Sequence, residues 1–157
     1  MFRIGFSEDI HKKQDGRKLV LAGVEFPNEA GLLGHSDADV VTHAVAESIL
    51  GALALGDLGK HFPDNDPKYK DISSLILLDE VVEMMKEKGF KISNIDIQVA
   101  CKSPKLSKKI SEMREVLAKH LLTSVSNVSI KACSYNEIGP IGKGEAIKAS
   151  SYVLLEK

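Results

Sequence analysis

Asp9-Ile10-His11, His35-Ser36-Asp37-Ala38-Asp39 and His43 gather carboxylates and imidazoles into the first third of the chain. On an extended strand, residues two apart share a face, so Asp9 and His11 point the same way. His43 follows Asp39 by four residues, on the same side of a helix. One carboxylate and two imidazoles suit Zn²⁺, and three protein ligands leave a coordination position open. His35 and Ser36 fall where the helix is expected to begin, and free N–H groups at a helix start attract anions. A divalent metal beside an anion site points to phosphoryl chemistry. Plainer readings exist for each part: Asp-x-His alone is an ordinary surface pair, and Ser36 alone is an N-cap. The full His-Ser-Asp-x-Asp-x-x-x-His spacing tips the balance toward a site.

Further along lie three weaker signals. Asp57, Phe62, Asp64, Asn65 and Asp66 sit in a long polar stretch, Gly56 to Asp71, and long loops in compact domains are often functional. Their carboxylates could hold sugar-like hydroxyls, but Asp-Asn-Asp-Pro reads more readily as turn chemistry. Lys102-Ser103-Pro104-Lys105, with Lys108 and Lys109, stands at a strand end leading into a helix, a fair position for a nucleotide phosphate. Such lysine runs are more often solvated faces. Cys133 and Ser134 close a strand near Gly139, Gly142, Lys143 and Gly144. These glycines are too spread for a P-loop.

The elements that must position these residues follow from periodicity. Phe2, Ile4 and Phe6 alternate with Arg3 and Gly5, which predicts a strand running to about Lys12. Gln14-Asp15-Gly16 is a turn signal, and Leu19 to Phe26 reads as the returning strand of a hairpin. A helix opens over His35–Asp39, capped by Ser36 or Asp37, and carries Val40, Val41, Ala44, Val45, Ile49 and Leu50 on one face. A second helix starts at Ser73 or Ser74 and ends at Gly89. Ile92 to Val99 alternates as a strand. A helix after Pro104 carries Ile110, Met113, Val116 and Leu117. Strands follow from Val128 and over Ala146–Leu155. This order predicts a single α+β domain, residues 1–157. It would be a ferredoxin-like sandwich, a mixed four-stranded sheet with helices on one face plus an N-terminal hairpin.

Composition bounds the partners. A net charge of −1 gives no field for nucleic acid or an anionic membrane. With no Trp and 5% aromatic residues, no base-stacking surface is expected. The longest apolar stretch, Ile49 to Leu58, is broken by Gly51, Gly56 and Asp57 and is too short to span a bilayer. The first residues lack a signal-peptide pattern, and Cys101 and Cys133 read as reduced thiols. A cytoplasmic protein is expected, or the mature part of one in an organelle stroma.

The chain resembles the 2-C-methyl-D-erythritol 2,4-cyclodiphosphate synthases over nearly its whole length. The resemblance rests on Arg3-Ile4-Gly5, Asp9-Ile10-His11, the run Gly31 to Val40, His43, and the run Leu55 to Pro67. It continues through Pro104-Lys105, Lys131-Ala132 and Gly142-Lys143-Gly144-Glu145. It implies a phosphorus–oxygen lyase of the non-mevalonate isoprenoid pathway, acting as a homotrimer with a site at each subunit interface. The implied substrate is 4-diphosphocytidyl-2-C-methyl-D-erythritol 2-phosphate, cyclised with release of CMP. Zn²⁺ or another divalent cation would sit on Asp9, His11 and His43, and Mg²⁺ or Mn²⁺ would accompany the diphosphate. His35 and Ser36 would contact phosphates. His35 and Ser134 would be the catalytic groups, stabilising the transition state. Asp57, Gly59, Phe62, Pro63, Asp64, Asn65 and Asp66 would hold the methylerythritol. Cys101, Pro104, Lys105 and Leu106, with Cys133, Ser134 and Asn136, would hold the cytidine diphosphate end, and Lys143 would pair with a phosphate.

Three stretches depart from the family pattern. Ser7-Glu8 stands where a glycine-rich start is usual, placing Glu8 beside the metal aspartate. The family's Thr-Thr-x-Glu appears as Cys133-Ser134-Tyr135-Asn136, so a neutral oxygen replaces a carboxylate and weaker Mg²⁺ binding is expected. Glu137, next along a strand, would face the other way. Lys143 replaces a usual arginine and lacks its bidentate fork. A zinc hydrolase and a non-catalytic nucleotide-binding trimer are the alternatives these residues leave open.

Overall fold

The computed structural model describes residues 1–157. Strand β1 (Phe2–Gln14) alternates as its sequence demands, with Gly5 and Ser7 turned inward and Phe2, Ile4 and Phe6 outward. It pairs antiparallel with the last strand, β7 (Ala146–Glu156), in register from Phe2 opposite Glu156 to Lys12 opposite Ala146. β7 pairs antiparallel with β5 (Lys91–Ala100), and β5 pairs parallel with β6 (Val128–Cys133). A two-residue strand, β4 (Gly31–Leu32), closes the other edge beside Lys13 and Gln14. The sheet order is β4-β1-β7-β5-β6.

Two expectations are corrected. Residues 19–26 do not return along β1. They fold on themselves as β2 (Leu19–Leu21) and β3 (Val24–Phe26), a separate two-stranded sheet. Ala22 and Gly23 at its tip both have positive φ, the geometry of a tight two-residue hairpin. β7 takes one side of β1 from Phe2 to Lys12, and β4 takes the other side at Lys13 and Gln14, where a strand returning from the turn at Gly16 would begin to pair. The sheet is mixed, as expected, but it has five strands, and the ferredoxin-like arrangement does not hold. That motif runs β-α-β-β-α-β, whereas here α4 (Ile110–His120) joins the parallel pair β5 and β6, and β6 and β7 follow without a long helix between them.

The long helices lie on one face. α1 (Val40–Ala52) packs on β1 and β7, α3 (Ser74–Glu87) packs on α1, and α4 packs on β6. Leu50, Ile49, Leu78, Met85, Ile95, Ile97, Met113 and Leu117 are sealed between these layers. A Cβ at Gly5 would lie 1.9 Å from the Ser48 carbonyl oxygen, so only glycine lets β1 and α1 approach this closely. The opposite face carries only the one-turn helix α5 (Gly139–Gly142), whose Ile141 packs on Ala100 and Ala146 at one end. Elsewhere on that face Phe2, Ile4, Phe6, Ile10 and Tyr152 are exposed, with the Phe6 and Tyr152 rings 4.6 Å apart.

The first helix begins later than its sequence suggests. Its N-cap is Asp39, not Ser36 or Asp37, and its first residue is Val40. The Asp39 carboxylate is fully buried and accepts from the backbone N–H groups of Ala22, Gly23 and Thr42 and from the Thr42 hydroxyl. One side chain thus caps α1 and ties the β2–β3 hairpin to it. Burial, with Asp37 nearby, raises its pKa against the pull of these donors.

Candidate metal centre and substrate cavity

Asp9 and His11 project from the helix-covered face of β1, and His43 meets them from the first turn of α1. Asp9 Oδ2 lies 2.9 Å from His11 Nε2 and 3.3 Å from His43 Nδ1. All three ligand atoms fall within 4.8 Å of one another. Ligands 2.0–2.2 Å from a tetrahedral metal stand about 3.3 Å apart, so this spacing fits one divalent ion with little movement. Carboxylate oxygen and imidazole nitrogen are also the right donor types. The far nitrogen of each ring is occupied: His11 Nδ1 donates to the Leu33 carbonyl at 2.6 Å, and His43 Nε2 meets the Ser36 and Ser74 hydroxyls.

The electrostatics match the geometry. Burial pushes the Asp9 carboxyl up, but hydrogen bonds and charge from His11 and His43 outweigh it and hold Asp9 well below the usual carboxylate range. Burial likewise opposes charge on His11. The Asp9 bond and charge, the Leu33 carbonyl and Asp64 overcome it and raise the His11 pKa. Glu8 does not disturb this balance. It faces the opposite side of β1, where its carboxylate holds Lys148 Nζ at 2.7 Å and the Ser150 hydroxyl at 3.0 Å.

These ligands line a cavity of about 290 Å³ together with His35, Ser36, Gly59, Phe62 and Asp64. His35 Nε2 reaches the Asp66 carbonyl at 3.1 Å, tying the His35–Ser36 turn to the long loop. The two residues sit in the turn before α1, not at its first N–H groups, so their anion-binding capacity comes from their side chains. Asp57 and Asp66 serve as caps: Asp57 accepts from Lys60 N at the start of α2 (Leu58–His61), and Asp66 from Lys68 N. Asp57, Pro63 and Asn65 are exposed beside this cavity but do not line it.

A second cavity, about 690 Å³, opens at the ends of β5 and β6. Cys101, Pro104, Lys105, Leu106, Cys133, Ser134 and Asn136 line it. None of them lines the first cavity, so within one chain the two candidate groups line separate cavities. Burial raises the Cys101 thiol to about 11, against the pull of Lys13. Past Cys133 the strand stops, and Tyr135, Asn136 and Glu137 all take positive φ in one tight turn. The strand alternation expected for Glu137 therefore does not apply. Lys143 lines neither cavity. It is exposed at the end of α5 (Gly139–Gly142), a short helical turn where a glycine-rich loop was expected. A Cβ at Gly142 would stand 2.5 Å from the Glu137 backbone.

Sequence reasoning missed two cavity supports. Glu47, one turn after His43, accepts from the Ser7 hydroxyl at 2.6 Å and from Leu58 N at 3.2 Å, joining β1, α1 and α2. Its four-residue spacing from His43 was the available signal. Arg17 donates to the Gly34 and Ser36 carbonyls, both at 2.6 Å, and so fixes the turn that presents His35. No local pattern marked it.

The YgbB family model matches residues 2–156. The chain is 54% identical over 155 residues to a Brachyspira hyodysenteriae protein named 2-C-methyl-D-erythritol 2,4-cyclodiphosphate synthase, covering 99% of this chain and 98% of that one. Its structure is similar to that of the bifunctional IspDF from Campylobacter jejuni, at TM-score 0.94 and 37% identity, over 99% of this chain and 42% of that longer one. It is also similar to IspF of Plasmodium falciparum in a CDP complex, at TM-score 0.86 and 33% identity, over 98% of this chain and 95% of that one.

Proposed function

Since the chain belongs to the YgbB family, we propose that it is a single-domain phosphorus–oxygen lyase. It converts 4-diphosphocytidyl-2-C-methyl-D-erythritol 2-phosphate to 2-C-methyl-D-erythritol 2,4-cyclodiphosphate and CMP. The observation that carries this reading is the convergence of Asp9, His11 and His43 beside His35 and Ser36 in one cavity.

The chemistry asks little of the protein beyond placement. An oxygen of the 2-phosphate forms the new bond to the β-phosphorus, and the bond from that phosphorus to the bridging oxygen breaks. The electron pair leaves with CMP. Because the nucleophile belongs to the substrate, no protein base needs a tuned pKa, and catalysis rests on positioning and charge neutralisation. Asp9, His11 and His43 would hold Zn²⁺ or a similar cation, which polarises a phosphoryl oxygen. His35 and Ser36 donate to the phosphates from the turn that Arg17 fixes. Gly59, Phe62 and Asp64 face the methylerythritol within the cavity, with Asp57, Pro63, Asn65 and Asp66 on its rim.

The cytidine diphosphate end fits the second cavity, with Lys105, Cys133 and Ser134 around it, Ser134 as the second catalytic group, and Asn136 offering a neutral oxygen to Mg²⁺ or Mn²⁺. Two half-sites on one chain, together with the exposed apolar residues of the sheet face, support a homotrimer in which each complete site spans two subunits. Lys143 is assigned to a phosphate near that interface. Free thiols at Cys101 and Cys133 and bacterial relatives support a cytoplasmic setting; no helix is long and apolar enough to cross a membrane.

Turnover in H₂¹⁸O separates this reading from a zinc hydrolase. Cyclisation leaves the products free of solvent oxygen by mass spectrometry. One ¹⁸O in a linear phosphate product would assign hydrolysis instead.

A further inference from the structure

Ser74 and Asp37 lie outside the ligand set, yet they determine where the proton on His43 sits. Ser74 is the first residue of α3 and is fully buried. Its hydroxyl donates to Asp37 Oδ1, and its backbone N–H donates to Asp37 Oδ2 at 3.0 Å. A carboxylate oxygen has no hydrogen to give, so the Ser74 hydroxyl proton is committed to Asp37. Toward His43 Nε2, 2.8 Å away, Ser74 Oγ can then only accept. His43 Nε2 must therefore carry a proton, and Nδ1, 3.3 Å from Asp9 Oδ2, is the nitrogen turned to the other two ligands: on a charged ring it donates to Asp9, and on a neutral ring it presents its lone pair.

We infer that Asp37 and Ser74 form a positioning pair that locks His43 in the Nε2–H tautomer and so presents Nδ1 as a ready metal ligand. The inference rests on the metal assignment proposed above. Outer partners of this kind orient ligating histidines and set their tautomer; here the carboxylate acts through a serine. There is a second consequence in the cavity. Ser36 Oγ lies 3.1 Å from the same Nε2 and already accepts from Ala38 N. With the His43 proton directed to Ser74, the Ser36 hydroxyl keeps its own proton free to donate to a phosphate.

The test compares the full-length wild type with Ser74→Ala, which removes one oxygen and leaves a residue that favours the helix. Three readouts are taken: zinc affinity by chelator competition, melting of the metal-free protein, and the ¹⁵N shifts of His43 in the metal-free protein. The pair predicts zinc binding about 10- to 100-fold weaker in Ser74→Ala, the range found for outer-shell partners. It also predicts metal-free melting within a few degrees of wild type, and a His43 spectrum shifted from one Nε2–H tautomer to a mixture. A merely structural serine would move the melting point and not the tautomer. Unchanged zinc affinity and an unchanged tautomer in Ser74→Ala, while wild type binds zinc, would overturn the positioning role alone. A wild type that takes up no zinc would overturn the metal assignment and this inference with it.

Discussion

A proton and the proposed metal would compete for His11. Its pKa is raised above the usual 6.5 even against burial, chiefly because Asp9 accepts from it. Below that raised value the ring is protonated at the nitrogen the metal needs. Zinc affinity should therefore fall about tenfold per pH unit on the acid side, which chelator competition between pH 6 and 8 would measure. The metal-free fold should respond with opposite signs at its two ends. Asp9, with its lowered pKa, contributes stability above the ordinary carboxylate range and loses it in acid. His11, with its raised pKa, contributes stability below 6.5 and loses it as pH rises through the raised value. Metal-free melting should thus peak between about pH 4 and 6.5, and saturating zinc should move the optimum upward. A metal-free optimum at pH 8 would contradict the pairing.

The convergence of Asp9, His11 and His43 was legible in the sequence because strand alternation and one helical turn fix their relative directions. Their supports were not. Arg17 reaches carbonyls at positions 34 and 36, Asp37 reaches Ser74, and Glu47 reaches Leu58. These partners are joined by the fold, at separations no local period encodes.

The Asp39 carboxylate decides how α1 meets the β2–β3 hairpin. Asp39→Ala would strand four donors, three of them buried, at roughly 1–3 kcal/mol for each buried one left unsatisfied. A net loss of about 3 kcal/mol or more is expected after relaxation, read as a fall of about 10 °C in melting; a shift within 2 °C would refute its role as the joint. Helices were largely readable: α3 starts and stops where Ser74 and Gly89 signal it, and α1 carries the expected apolar face. The start of α1 was misplaced because Ser36, Asp37 and Asp39 are all good caps by type. Only the donors of the hairpin select Asp39. The β1 pairing was misread for a related reason. A turn at Gly16 predicts a nearby return, but the partner that matches β1 over eleven residues is β7, the last strand, and β4 takes the other side beside the turn.

A five-stranded sheet with one covered face leaves Phe2, Ile4, Phe6, Ile10 and Tyr152 facing out, with Ile4 74% exposed. Large apolar side chains exposed along one sheet face are what an interface between subunits would cover. The proposed trimer predicts a particle of about 51 kDa, three times the 17.1 kDa chain. Sedimentation velocity would measure it, and Ile4→Lys with Phe6→Glu should yield monomers that keep zinc but lose turnover. Wild type sedimenting at 17 kDa while fully active would remove the shared-site reading. Alternation revealed the strand, but the outward apolar residues read equally well as core. Which side of the sheet the helices cover is settled only by tertiary packing.

Cyclisation itself is tested most directly by ³¹P NMR of the zinc-loaded protein with 4-diphosphocytidyl-2-C-methyl-D-erythritol 2-phosphate and titrated Mg²⁺. The expected spectrum shows the diphosphate and 2-phosphate resonances replaced by CMP and a cyclic diphosphate, with a Mg²⁺ requirement shifted to higher concentration by Asn136. Substrate that binds and persists unchanged at every Mg²⁺ concentration would contradict the synthase assignment.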